Sequence, residues 1–165
     1  MVTRRMPGIF TPGVLRFSFL FVMGLVGFLG TVSPVNAGKN VVVIQNDRGG
    51  AVDKRAAIIK RYRARGTHIE IRGDYCLSAC TMYLSLPNLC IAPDTEFGFH
   101  GPSSPHYGIG LAPAAFEHWS RVIADHYPRP LRDWYLVIGR NRIVGFHTKS
   151  GSELIQMGIP SCVDA

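Results

Sequence analysis

The sequence predicts an α/β domain with a mainly parallel sheet, because short apolar strands alternate with amphipathic helices. Residues 41–45 form an apolar run that is rich in β-branched side chains, and residues 51–65 carry helix-forming residues with apolar positions three and four apart. Residues 68–72 alternate between polar and apolar side chains, as expected of a second strand. This strand–helix–strand order implies a right-handed crossover and a parallel pair.

The rest of the chain continues the same alternation. Helices are predicted over residues 78–86, 113–127, 131–139 and 153–157. Strands are predicted over residues 89–92 and 96–100, with a possible short strand over residues 142–146. Residues 101–112 are rich in glycine, proline and serine and predict a loop, and Pro128 and Pro130 predict a break between two helices.

The first 37 residues have the order of a secretory signal. They contain Arg4, Arg5 and Arg16 but no acidic residue, and they include an apolar stretch from residue 17 to residue 32. Small or short residues precede Ala37, so we expect cleavage after Ala37 and one domain over residues 38–165. This indicates a periplasmic or secreted protein. The alternative is an uncleaved inner-membrane anchor, because about 16 apolar residues nearly span a hydrocarbon core of about 30 Å.

Basic residues outnumber acidic residues by 18 to 11, which gives a net charge of +7. The first predicted helix holds six of them, at Lys54, Arg55, Lys60, Arg61, Arg63 and Arg65. Such a cluster would suit a nucleic acid or a membrane surface, but no recognition motif accompanies it. We therefore interpret it as the solvated face of an amphipathic helix and expect no nucleic-acid partner.

Four cysteines follow the predicted cleavage site, at Cys76, Cys80, Cys90 and Cys162. In an oxidising compartment an even number predicts up to two disulfides, and three pairings are possible. No second ligand pair at zinc-like spacing follows the first two cysteines, so we predict no metal and no other cofactor. Export favours oxidation of Cys80 over a role as a thiolate nucleophile.

Three segments carry residues suited to chemistry. Gly49 and Gly50 follow the first strand, and two glycines free the backbone to point an N–H group at a developing oxyanion. Ser78 opens a predicted helix, where free N–H groups and the helix dipole favour negative charge. His100 ends an apolar strand before a loop. Taken one at a time, the two glycines would be interpreted as a turn, Ser78 as an N-cap and His100 as a structural histidine.

In this order the segments resemble the Clp-type protease subunits of the crotonase-like superfamily. Residues 46–52, Asn-Asp-Arg-Gly-Gly-Ala-Val, are similar to the family's Asn-Ser-Pro-Gly-Gly-x-Val, and Ser78-Ala79 stands where its nucleophilic serine opens a helix. His100-Gly101-Pro102 matches the family's His-x-Pro, and residues 150–159 resemble its closing Ser-x-x-Glu helix. The resemblance covers about residues 41–159.

The resemblance implies a ClpP/crotonase-like fold of repeated strand–strand–helix and strand–helix–strand units. It also implies a serine hydrolase, with Ser78 as nucleophile, His100 as general base, and the N–H groups of Gly50 and Ala79 as the oxyanion hole. The implied substrate is a peptide or protein. The chain would be able to form homo-oligomers, and membrane contact is expected only if the leader is not cleaved.

One departure from the family concerns the third member of its triad, an aspartate. The matching stretch here, residues 145–148, is Gly-Phe-His-Thr and contains no carboxylate. Three readings stay open: Asp133 or Asp125 substitutes, the site is a Ser-His dyad, or it is inactive. The sequence thus favours an exported serine hydrolase of peptidase type. The alternatives are an inactive relative that binds peptides or another exported protein, and a basic membrane-surface protein held by its leader.

Overall fold

The computed structural model describes residues 40–104, 106 and 109–162. The predicted signal segment and its cleavage site lie outside these residues. By its internal contacts the chain divides into residues 1–36 and 37–165, and all the described residues belong to the second unit. No helix within the described ranges is long and apolar enough to cross a membrane.

The described residues form an α/β structure, as predicted. The strands are β1 (Val41–Ile44), β2 (His68–Ile71), β3 (Tyr75–Leu77), β4 (Leu89–Ile91), β5 (Glu96–Phe99) and β6 (His147–Ser150). The α-helices are α1 (Val52–Ala64), α2 (Pro113–Ala124), α3 (Arg129–Val137) and α4 (Gly151–Gln156). Two 3₁₀ helices span Ser78–Ser85 and Gly139–Asn141.

The strands form two small sheets in place of the one sheet expected. The first has the order β1-β2-β4, and all of its pairs are parallel. The second has the order β3-β5-β6, with β3 parallel and β6 antiparallel to β5. The mainly parallel α/β prediction is therefore confirmed, and the predicted β1-α1-β2 unit is present with its strands paired in parallel.

One local prediction was wrong, and one strand was missed. Residues 142–146 form no strand, because β5 pairs instead with the polar residues of β6, from Phe99 opposite His147 to Glu96 opposite Ser150. The strand β3 was not predicted, since it is held extended by its pairing with β5 and by a bridge between Asp47 and Cys76. The break predicted at Pro128 and Pro130 is present, since α2 ends at Ala124 and α3 begins at Arg129. Pro130 lies in the first turn of α3, where a missing N–H group costs no hydrogen bond.

A single hydrophobic cluster joins the strands to the helices. The fully buried Phe97 and Phe99 extend it along β5, and Tyr135 of α3 is also fully buried. The ring of Phe99 packs edge-to-face against Tyr127 and Trp134, with centroids 5.7 and 5.3 Å apart. Because close packing restricts movement of these rings, the end of β5 is held firmly where His100 follows.

The prediction of two disulfides is confirmed. Cys76 pairs with Cys80, and Cys90 pairs with Cys162. The second bridge joins β4 to the C-terminal segment, beside a short parallel bridge between Ile91 and Ser161.

Candidate active site

Ser78 occupies an unusual turn between β3 and the 3₁₀ helix Ser78–Ser85. Its φ angle is +55°, and among the described residues no other non-glycine residue has a positive φ. An L-residue in this region is strained, and such strain collects at functional sites. The helix has no side-chain cap, so the Ser78 hydroxyl does not serve as an N-cap. A sharp, strained strand-to-helix turn is the kind of structure that exposes a nucleophilic serine.

The structure brings His100 to Ser78. The Nε2 atom of His100 lies 2.7 Å from the Ser78 Oγ atom, within hydrogen-bond distance for proton transfer. The Tyr135 hydroxyl donates a hydrogen bond of 3.1 Å to the His100 carbonyl oxygen and so anchors the backbone. The Phe146 ring packs edge-to-face on the imidazole, with centroids 5.3 Å apart.

The other imidazole nitrogen of His100 has a different environment. Its Nδ1 atom is buried and forms no hydrogen bond of acceptable geometry within the described part of the chain. Burial lowers the pKa of His100 below its ordinary value, and the nearby Gly101 backbone offsets this in part. The ring is therefore neutral at pH 7 and able to accept a proton at Nε2.

Neither aspartate that was considered as a third member lies at His100. Asp125 pairs with Arg132, with an oxygen–nitrogen distance of 2.9 Å between two largely exposed side chains. Asp133 is exposed on α3, and neither carboxylate forms a hydrogen bond with the imidazole. Phe146, from the stretch that matches the family's aspartate, contacts the ring instead. The described site is thus a serine and a histidine without a carboxylate.

The glycine loop between β1 and α1 lies directly against the turn that contains Ser78. A Cβ atom added to Gly49, whose φ is +96°, would lie 2.6 Å from Ser78 Cβ and 2.8 Å from the Ala79 nitrogen. Only glycine fits this close approach. The N–H groups of Gly50 and Ala79 donate no hydrogen bond among the described residues, so both are free for an oxyanion.

A cavity of about 410 Å³ adjoins these groups. Its polar lining includes Gly50, Ser78, Ala79 and His100. Its apolar wall includes Val52, Leu111, Trp119, Ile123 and Tyr127. This combination of an apolar wall with a few convergent polar groups is typical of ligand sites, and the volume fits part of a peptide.

A possible metal cluster also occurs among the described residues. His68, Glu70 and Cys90 place one ligand atom each within 4.8 Å of one another. Because Cys90 is bonded to Cys162, this group offers two free ligands, fewer than the three protein ligands of a catalytic zinc site.

Sequence reasoning missed Arg55, which it placed on a solvated face. Arg55 is buried and contacts the glycine loop. Its position was a usable signal, since it lies three residues after Val52 and four before Ile59. These positions share one face of a helix, and Ile59 is in the core.

No protein-family model matches the sequence, and no curated protein matches it. Solved structures do match, among them two of the 1510-N membrane-bound stomatin-specific protease. A lysine-to-alanine variant in complex with a substrate peptide has a TM-score of 0.56 and 18% identity, and the match covers 73% of this chain and 59% of that chain. A serine-to-alanine variant has a TM-score of 0.55 and 17% identity, with coverage of 73% and 62%.

This likeness establishes the fold. The chain has the Clp-type protease fold that its motifs predicted, and it spans about six-tenths of the length of the matched protease chains.

Proposed function

We propose that this chain is an exported serine hydrolase that cleaves peptides, with Ser78 as nucleophile and His100 as general base. The observation that carries the proposal is the 2.7 Å contact between His100 Nε2 and Ser78 Oγ at a strained turn. A histidine within hydrogen-bond reach of a serine, beside free backbone N–H groups, is the arrangement that acyl transfer needs.

The reaction follows from this geometry. Ser78 Oγ attacks the carbonyl carbon of a peptide bond, and its proton passes to His100 Nε2. The carbonyl oxygen becomes an oxyanion that accepts hydrogen bonds from the N–H groups of Gly50 and Ala79. When the intermediate collapses, His100 returns the proton to the leaving amine. Water then hydrolyses the acyl-enzyme by the same route in reverse.

The missing carboxylate affects the rate of this reaction. In a full triad the aspartate holds the correct tautomer and stabilises the imidazolium, and its loss lowers turnover by about 10⁴-fold. Here burial keeps the imidazole neutral before reaction, but no carboxylate lies at Nδ1 to stabilise its charged form. We therefore expect slow turnover, although Ser78 remains reactive toward strong electrophiles.

Two further observations support the substrate class and the compartment. The matched protease was solved with a substrate peptide, which supports a peptide as the ligand of this cleft. The pairing of all four cysteines supports an oxidising compartment, and hence export.

The second candidate function is an inactive Clp-type protein that binds peptides in the same cavity. The unpartnered Nδ1 atom of His100 favours it, because an unoriented imidazole is a poor base. The two candidates differ in one property, the reactivity of Ser78.

Labelling with a fluorophosphonate probe tests that property. The oxidised protein is treated beside Ser78→Ala and His100→Ala variants, and mass spectrometry locates the adduct. We expect a single adduct on Ser78 that is lost in Ser78→Ala and much slower to form in His100→Ala. Absence of wild-type labelling, under conditions where a known serine hydrolase reacts, would exclude the hydrolase and leave the peptide-binding protein.

A further inference from the structure

The helix α1 carries a buried cation. Arg55 is 9% exposed, and it is the one buried charged residue among the described residues. The other five basic residues of this segment are exposed. A buried guanidinium requires compensating partners, since desolvation of an unpaired charge is strongly unfavourable.

The partners of Arg55 come from two elements. Its Nη2 atom lies 3.0 and 2.8 Å from the two carboxylate oxygens of Asp47, and it donates a 3.1 Å hydrogen bond to the Gly49 carbonyl oxygen. Its Nη1 atom donates to the Tyr83 hydroxyl, and the guanidinium stacks 4.6 Å from the centroid of that ring. Burial raises the pKa of Tyr83, so its hydroxyl is neutral and Asp47 supplies the opposite charge.

These partners belong to the two sides of the candidate oxyanion site. Asp47 and Gly49 lie in the loop before Gly50, and Tyr83 lies in the 3₁₀ helix that contains Ala79. Asp47 also accepts a 2.7 Å hydrogen bond from the Gly49 N–H group and a 2.8 Å backbone bond from β3. Arg55 therefore ties the loop to the element that carries the second N–H donor.

The contact with the Gly49 carbonyl has a specific consequence. The Gly49 carbonyl and the Gly50 N–H group are parts of one planar trans peptide unit, so they point in opposite directions. Two successive glycines with positive φ leave this unit otherwise free to rotate. A hydrogen bond that holds the carbonyl toward Arg55 thus directs the Gly50 N–H group away from Arg55.

We infer that Arg55 is a positioning residue that orients the Gly49–Gly50 peptide so that the Gly50 N–H group serves the oxyanion. This inference rests on the proposed serine hydrolase function. Lysine does not replace arginine here, because the planar guanidinium reaches the carboxylate, the carbonyl and the phenol together. Arg55 acts through the loop and touches no reacting atom.

The test compares Arg55→Lys and Arg55→Met with Arg63→Met. Arg63 is a matched control, since it lies on the same helix and bonds the same 3₁₀ helix at Ser85, with no contact to the glycine loop. We expect fluorophosphonate labelling of Ser78 to slow by about 10²–10³-fold in the Arg55 variants, the loss typical of one oxyanion donor. Arg63→Met is expected to label at the wild-type rate.

Three additional measurements separate positioning from general stability. Binding of a peptide boronate, which forms the tetrahedral adduct, should weaken in folded Arg55→Lys, while binding of the same peptide without boron should not change. Guanidinium ion should restore part of the labelling in Arg55→Ala. Backbone ¹⁵N NMR should show altered Gly49 and Gly50 amide shifts in Arg55→Lys, with unchanged shifts in strand β4.

Labelling of folded Arg55→Lys within about threefold of wild type would overturn the inference. If wild-type protein fails to label, the hydrolase proposal fails by itself. The amide shifts of Gly49 and Gly50 in Arg55→Lys then test whether Arg55 positions the loop. Shifts unchanged from wild type would refute that role. If Arg55→Met does not fold, the labelling rates of Arg55→Lys and Tyr83→Phe provide the comparison with Arg63→Met. Each of these variants keeps a side chain of similar size to the native one.

Discussion

The two disulfides of this protein close very different lengths of chain. Cys90–Cys162 joins residues 72 positions apart, whereas Cys76–Cys80 joins residues four positions apart, with Ser78 at the middle of the loop. In the chain-entropy account, the stabilisation by a disulfide rises with the logarithm of loop length, which gives about 4 kcal/mol for the long loop and about 2 kcal/mol for the short one.

The difference indicates separate roles. The long bridge restricts the unfolded chain most and ties the C-terminal segment to β4. The short bridge restricts the unfolded chain little, but it spans the one strained non-glycine residue among those described. Global stability should depend mainly on the long bridge, and the geometry of the Ser78 turn mainly on the short bridge.

The largest expected effect is that of removing the long bridge. The variant Cys90→Ala/Cys162→Ala should lose about 4 kcal/mol of unfolding free energy, measured by urea denaturation. Labelling of its folded fraction at Ser78 should match wild type. A loss below about 1 kcal/mol would contradict the entropic account of this bridge.

Removal of the short bridge should affect stability less and labelling more. We expect Cys76→Ala/Cys80→Ala to lose about 2 kcal/mol of unfolding free energy. Its rate of fluorophosphonate labelling should fall, because the turn is free to leave the strained conformation. Equal labelling in both double variants, measured on folded protein, would remove the distinction between the bridges.

Relief of the strain at Ser78 should raise the unfolding free energy, by less than the loss of either disulfide lowers it. At a φ of +55° glycine is unstrained, so Ser78→Gly should be more stable than Ser78→Ala by about 1 kcal/mol. Thermal and urea unfolding of the two variants measure this difference. It should shrink in the Cys76→Ala/Cys80→Ala background if the short bridge maintains the strain, and an unchanged difference would show that packing does so.

The pH dependence of His100 gives the smallest expected effect. Burial lowers its pKa below the ordinary value of 6.5, so the labelling rate should stay constant from pH 8 to below 6.5 and then fall as the base is protonated. The contribution of neutral His100 to the unfolding free energy is fully present above the pKa that the residue has in the unfolded chain. It is lost as pH falls through the lower pKa of the folded protein.

Labelling rates and urea denaturation between pH 4 and 8 check both parts of this expectation. His100→Gln serves as the control that lacks the stability change. A midpoint above pH 7 in the curve of labelling rate against pH would contradict the lowering of the His100 pKa by burial. Loss of the short bridge should move the midpoint toward 6.5 if it opens the site.

The sequence was most informative where a pattern is local. The unit β1-α1-β2 was predicted because residues a few positions apart report the period of a strand or a helix. It was least informative for β3 and β6, which are held by pairing with β5 and which lack strong strand patterns of their own. A strand made of His-Thr-Lys-Ser has no apolar alternation to detect.

The candidate site divides in the same way. The sequence by itself determined the order of Gly49-Gly50, Ser78 and His100 and the absence of a carboxylate in residues 145–148, because these are matters of residue identity. Only the tertiary structure decided that His100 Nε2 meets Ser78, that Nδ1 meets no acid, and which cysteines pair.

The tertiary structure also turned one member of a basic cluster inward. Arg55 has the same side-chain type as Arg63, yet it is buried against Asp47 and Tyr83 while Arg63 is exposed. The physical reason is that charge and local period are properties of the chain, whereas the partner of a buried group is set by contacts between distant segments. For Arg55 and Tyr83 that separation is 28 residues, and for Ser78 and His100 it is 22.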